Sequence, residues 1–168
     1  MAKTETNPRM RQLVDRSAAA WAGLASGIVV FLLNLFLAPL IMGGNAWIMT
    51  RFIASIAMGE SILAPPATFD MTAFVAAILV NFVISMGYAL LIAYIVHRGG
   101  LLTGILGGAG LGLAIYGINF YTFTYFYPWL FPLCGWTMGI IHVIFGALAG
   151  GVYEFLEVEE FVSVEEEI

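Results

Sequence analysis

From Ser17 to Tyr153 the chain carries only four charged side chains, Arg51, Glu60, Asp70 and Arg98. No other feature restricts the fold as strongly. Of the 168 residues, 61% are hydrophobic and 10% are charged, against roughly 25% charged in an average soluble domain. A water-soluble fold of this size could not cover its surface with so few polar groups, so lipid must solvate the apolar exterior. The sequence therefore predicts an all-α integral membrane protein. Seven of the eleven acids lie at the extreme C-terminus, from Glu154 to Glu167, and they account for the net charge of −5. There is no basic patch beyond a few N-terminal arginines, so nucleic acid is not expected as a partner. The single cysteine, Cys134, excludes an intrachain disulfide and any CxxC motif.

Four apolar runs are read as transmembrane helices, at about 17–42, 71–96, 101–125 and 133–153. Each has at least about 20 mostly apolar residues, enough to cross a ~30 Å hydrocarbon core. The first run far exceeds the roughly 7–15 residues of a signal-peptide core, so it is expected to be an uncleaved span. The second and third runs are separated only by the turn His97-Arg98-Gly99-Gly100, which makes them antiparallel neighbours. Residues 1–16 form an N-terminal segment, 17–155 the membrane domain and 156–168 an acidic tail. That tail is expected to extend the last helix by about two turns and then to be solvated.

Asn45–Asp70 (NAWIMTRFIASIAMGESILAPPATFD) fits neither a span nor a loop. Arg51 and Glu60 make it too polar for the first, and it is too long and apolar for the second. It is expected to be a helix over about 45–64, interfacial or re-entrant, ending at Pro65-Pro66. Interfacial packing is the simpler account: Ile48, Phe52, Ile56 and Leu63 fall near one face, with Thr50, Arg51 and Ser55 off it and Trp47 as an anchor. Asp70 or Thr68 is the expected N-cap of the next span.

Lysine and arginine counts orient the bundle. With four spans and both termini cytoplasmic, one side holds Lys3, Arg9, Arg11, Arg16 and Arg98, and the other only Arg51. A fifth span at 45–64 would move Arg98 outside and place two charges in lipid, at roughly 2.5–3.5 kcal/mol each. Arg51, Glu60 and Asp70 are then the outer-surface charges, with an ion pair among them left open.

Polar residues inside spans are the default functional candidates. Asn34, Asn81, Asn119 and His142 occur one per span. Counted at 1.5 Å per residue, they lie roughly 9–14 Å below the outer boundary, with Tyr116, Ser85 and Tyr88 close to that layer. Such residues most often hold a bundle together, at roughly 0.6–2 kcal/mol each; a substrate, ion or quinone-type pocket is the other reading. Burial favours a neutral His142, and His142→Leu is expected to affect folding or assembly more than transport. No cofactor is expected: His97 lies at the opposite surface from His142, and no second His, Cys or acid accompanies it in the membrane. No nucleophile, base and acid converge, so the chain is not read as an enzyme. Gly104, Gly108 and Gly112, and likewise Gly146 and Gly150, recur every four residues, spacing that lets helices approach closely. The block from Phe120 to Phe131 reads as an outer aromatic belt.

The segments Gly59–Asp70 (GESILAPPATFD), His97-Arg98, Ala114–Phe126 (AIYGINFYTFTYF) and the set Trp136, His142 and Gly146 resemble a group of uncharacterised small bacterial inner-membrane proteins. Some of these carry a sodium:proline symporter label. The resemblance covers most of residues 17–155 and implies an inner-membrane, four-span architecture. Symporters of that class are similar to large inverted-repeat bundles with a midplane site; four spans cannot build one alone. The leading expectation is thus a non-enzymatic membrane protein, an accessory subunit of a larger membrane complex or a homo-oligomer, with lipids and other subunits as partners. The alternatives are a small transporter or channel-like protein using the polar layer, and a quinone- or lipid-interacting subunit of an electron-transfer complex. In any pocket reading, Asn45–Asp70 is its lid.

Overall fold

A short antiparallel ribbon joins the two ends of the chain. In the computed structural model, which describes residues 10–163, β1 (Met10–Leu13) pairs with β2 (Glu160–Ser163), Met10 opposite Ser163 and Leu13 opposite Glu160. Lys3, Arg9, Glu165, Glu166 and Glu167 lie outside the described residues. The acidic tail thus departs from expectation: the last helix stops at Leu156, and the chain turns back to pair with the N-terminal segment.

Between the strands run six helices: α1 (Arg16–Leu32), α2 (Ala38–Met42), α3 (Ala46–Met58), α4 (Met71–Val96), α5 (Gly100–Tyr121) and α6 (Trp136–Leu156). Four helical stretches are long and apolar enough to cross a membrane: Arg16–Met42, Met71–Val96, Gly100–Tyr125 and Trp136–Leu156. α3, at 13 residues, extends only about 20 Å and cannot. The all-α architecture with one short helix between the first and second spans is as expected.

Side-chain caps begin three of the helices. Asp15 accepts from the N–H groups of Ser17 (2.8 Å) and Ala18 (3.0 Å), Asn45 from Trp47 (2.9 Å) and Ile48 (3.1 Å), and Asp70 from Ala73 (2.8 Å). Each satisfies donors that a first turn leaves free. α2 and α3 both stop at glycines with positive φ, Gly43 (85°) and Gly59 (83°), conformations other residues adopt only with strain. The first span is not uniform. Leu33–Leu37 forms a π turn, closed by the Ala38 N–H on the Leu33 carbonyl, just before Pro39, which has no N–H to give. Such turns concentrate at functional sites, and this one carries Asn34.

Glycine decides the packing. A β-carbon at Gly108 would meet the Gly146 carbonyl, one at Gly112 the His142 carbonyl, and one at Gly150 the Gly104 carbonyl. The backbones of α5 and α6 are therefore in direct contact along a glycine ladder. On the other side, α1 lies against α4 through Gly23 and Gly27, where a β-carbon would come within 2.7 Å of Met86 Cα and 3.0 Å of Ser85 Cβ. Ser26 sits in this seam with no exposed surface, its hydroxyl donating to the Ala22 carbonyl at 2.7 Å. α5 and α6 are thus the most tightly joined helices, α1 packs equally on α4 and α6, and α4 meets α5 only sparsely.

α3 sits more deeply than a surface helix. It packs along α4 and the π turn, and its most buried residues are Met49, Thr50, Ala54 and Ser55. The expectation that Thr50 and Ser55 lie off the buried face is therefore corrected. Their hydroxyls donate to the carbonyls of Ala46 (3.0 Å) and Phe52 (2.7 Å), and this internal bonding lets a polar side chain enter an apolar interface.

Candidate polar cavity in the bundle

The loose seam between α4 and α5 opens into a cavity of about 640 Å³. Asn34, Asn81, Asn119 and His142, one from each spanning helix, all line it, together with Ser85 and Tyr88. The rest of the wall is apolar apart from Tyr127. Phe52, Ile53 and Ile56 of α3 form part of it. The fifth layer residue, Tyr116, stands behind the wall: its ring meets the His142 ring edge-on at 5.7 Å, and its hydroxyl lies 3.5 Å from Cys134 Sγ.

One side of the cavity is a directed hydrogen-bond chain. His142 Nδ1 is 2.8 Å from the Met138 carbonyl. A carbonyl only accepts, so Nδ1 carries the proton and Nε2 is the acceptor. Asn119 Nδ2, at 3.2 Å, donates to it. This orientation turns Asn119 Oδ1 toward Tyr88, whose hydroxyl donates to it at 2.6 Å. The chain runs Tyr88, Asn119, His142, Met138 and stitches α4, α5 and α6 together. Both imidazole nitrogens are engaged in the neutral form.

The other side is less complete. Asn34 Nδ2 donates to the Val30 carbonyl of its own helix (3.0 Å), and Asn81 Nδ2 to the Gly27 carbonyl of α1 (3.0 Å). Among the described residues neither amide oxygen accepts a bond, and the Ser85 hydroxyl makes none.

The outer charges do not meet. Arg51 donates to three carbonyls, Ile62 (3.1 Å), Ala64 (3.0 Å) and Thr68 (3.2 Å). Asp70 caps α4 and Glu60 is exposed. The ion pair left open by the sequence is replaced by a guanidinium strapping the 59–70 segment to α3. A second strap comes from the aromatic block: Trp129 Nε1 donates to Ser55 Oγ at 2.9 Å. Tyr125, Phe126 and Phe131 of that block are exposed, as a lipid-facing belt would be.

Depth counting brought the four polar residues to one layer, and the cavity gathers them. Sequence reasoning missed the Tyr88 bond to Asn119 and the Trp129 bond to Ser55. Their only signal was that a tyrosine and an indole near apolar spans need polar partners.

No family model matches the chain, and no curated protein or solved structure matches it.

Proposed function

We propose that this chain is a non-enzymatic integral membrane protein that binds a small amphipathic molecule within its bundle, beneath α3. One observation carries the reading: a single cavity collects one polar side chain from each of the four spanning helices and surrounds them with an apolar wall. Its size falls within the roughly 300–1,000 Å³ of small-molecule sites, and a few placed polar groups in an apolar lining is their usual composition. A binding role without chemistry is supported by the lining, in which no acid, cysteine or lysine accompanies His142. Reading the glycine repeats as a contact face for other subunits loses ground, because α5 and α6 use them on each other.

The proposed location is a bacterial inner membrane with both termini cytoplasmic. The charge asymmetry supports it, as does the pairing of the two chain ends.

The test is the native preparation. Protein extracted in mild detergent should carry one small amphipathic molecule in near-equal amount, and Asn119→Leu should lose that molecule while remaining helical. Protein that carries only bulk phospholipid, unchanged by Asn119→Leu, would reverse the reading. An accessory-subunit role is measured in the same preparation, by other chains that travel with the protein in fixed ratio.

A further inference from the structure

Four features of the cavity restrict what can occupy it. The first is charge. None of the lining residues is Asp, Glu, Lys or Arg, and His142 Nε2 faces the Asn119 Nδ2 donor, an arrangement the neutral imidazole makes. A charged head group would give up its hydration with no counter-charge to replace it.

The second is the set of polar atoms without partners. Asn81 and Ser85 stand one turn apart on α4, with 8% and 5% exposure, and so share a face. Asn81 uses its N–H on Gly27 and leaves its oxygen free; the Ser85 hydroxyl is unbonded among the described residues. The oxygen of half-buried Asn34, on α1's π turn, also accepts no bond among the described residues. Polar groups in an apolar wall normally find partners, so two acceptors and a hydroxyl on residues lining one cavity suit a ligand that both donates and accepts. A hydroxyl head does both: it donates to an amide oxygen and accepts from Ser85.

The third is size. At ~30 Å³ per water-sized group, the cavity holds on the order of twenty heavy atoms, enough for a head with one tail and too few for a two-chain lipid.

The fourth is the opening. Ile84, Gly87 and Leu91 form a stripe on α4 that lines the cavity and is exposed. Phe123, just beyond α5, does the same across the seam. The mouth is apolar and faces where lipid would be, and a β-carbon at Gly87 would meet nothing within 4 Å.

We infer that the cavity takes an uncharged, hydroxyl-headed lipid with a single apolar tail, entering sideways between α4 and α5 past Gly87. This rests on the binding reading above and adds to it the head-group chemistry and the route.

The experiment uses the full chain in phosphatidylcholine nanodiscs and three photoreactive amphipaths with one common diazirine-bearing tail. Their heads are glycerol (a monoacylglycerol), carboxylate and trimethylammonium. Labelled peptides are read by mass spectrometry. The monoacylglycerol should label the cavity wall at least tenfold above the charged probes. Ser85→Ala should reduce that labelling about fivefold, and Gly87→Leu about tenfold, with unfolding temperatures unchanged. Equal labelling of the wall by all three probes would overturn the head-group assignment and leave ligand binding standing. Undiminished labelling in Gly87→Leu would overturn the route. Labelling confined to the outer surface with every probe would overturn this inference and the binding reading together.

Discussion

The Tyr88 hydroxyl donates to Asn119 Oδ1 at 2.6 Å across the seam between α4 and α5, two helices that are consecutive in the chain yet barely pack. This bond does for that seam what the glycine ladder does for α5 and α6. Tyr88→Phe should cost roughly 0.6–1.7 kcal/mol, the range of interhelical hydrogen bonds in membranes. Asn119→Leu should cost more, about 1–3 kcal/mol, because it strands both the Tyr88 hydroxyl and His142 Nε2. Unfolding in mixed micelles measures both, and equal losses in the two variants would show that the His142 bond contributes nothing.

The glycine ladder predicts opposite signs at neighbouring positions of one helix. At Gly108 a β-carbon meets the Gly146 carbonyl, whereas at Gly110 it meets nothing within 4 Å. Gly108→Ala should destabilise by more than 1–3 kcal/mol, the usual cost of overpacking, because backbone must move. Gly110→Ala should be neutral or stabilise by up to about 1 kcal/mol through helix propensity. Thermal unfolding of the two variants in one detergent checks the contrast.

Arg51 straps the connection between α3 and α4 through three carbonyls. Arg51→Met should leave helix content intact and make the 59–70 segment the first site of proteolytic cleavage. Arg51→Lys should restore only part of the protection, since an ammonium lacks the planar fork that reaches several carbonyls at once. Cleavage unchanged in Arg51→Met would show that the strap is dispensable.

The ribbon end of the molecule should be acid-sensitive. The Asp15 carboxyl is held below its ordinary 3.8, chiefly by the Ala18 N–H, with burial opposing and the Val158 and Ser17 N–H groups adding to the lowering. A folded-state pKa below the unfolded one means the contribution is complete above the ordinary carboxylate range and is lost as pH falls through the lower folded value. Protection of the Val158 amide, which donates to Asp15 Oδ2 at 3.2 Å, should hold from neutral pH down to about 4 and decline below it. In Asp15→Asn that decline should be absent.

Paired end strands and four crossing helices require both termini on one side of the membrane. Reporters fused at either end should both read cytoplasmic, the side that the basic residues favour. A split result would overturn the four-span topology.

How much of this was readable in advance varies with how local the cause is. Met71–Val96 is bounded in sequence by a capping aspartate and a glycine turn, and the helix observed has those limits. Counting helix rise put Asn34, Asn81, Asn119 and His142 at one expected depth, and all four line one cavity. The fourth span begins three residues later than expected, at Trp136, because Pro128–Leu133 winds as a 3₁₀ turn before it. The burial of Thr50 and Ser55 was hidden, since bonding to their own helix removes the polarity that suggested exposure. The π turn was hidden as well: Pro39 announces a disturbance without saying whether the helix kinks or widens. The ribbon was the least legible. Four-residue strands have almost no pattern, and their pairing depends on the whole bundle bringing the ends together.

That ribbon has a consequence for biogenesis. Met10–Leu13 precedes every helix in the chain and Glu160–Ser163 follows them all. The early strand therefore waits with an open edge until every helix has been inserted. A chain truncated within α6 leaves that edge unpaired and Asp15 without the Val158 amide.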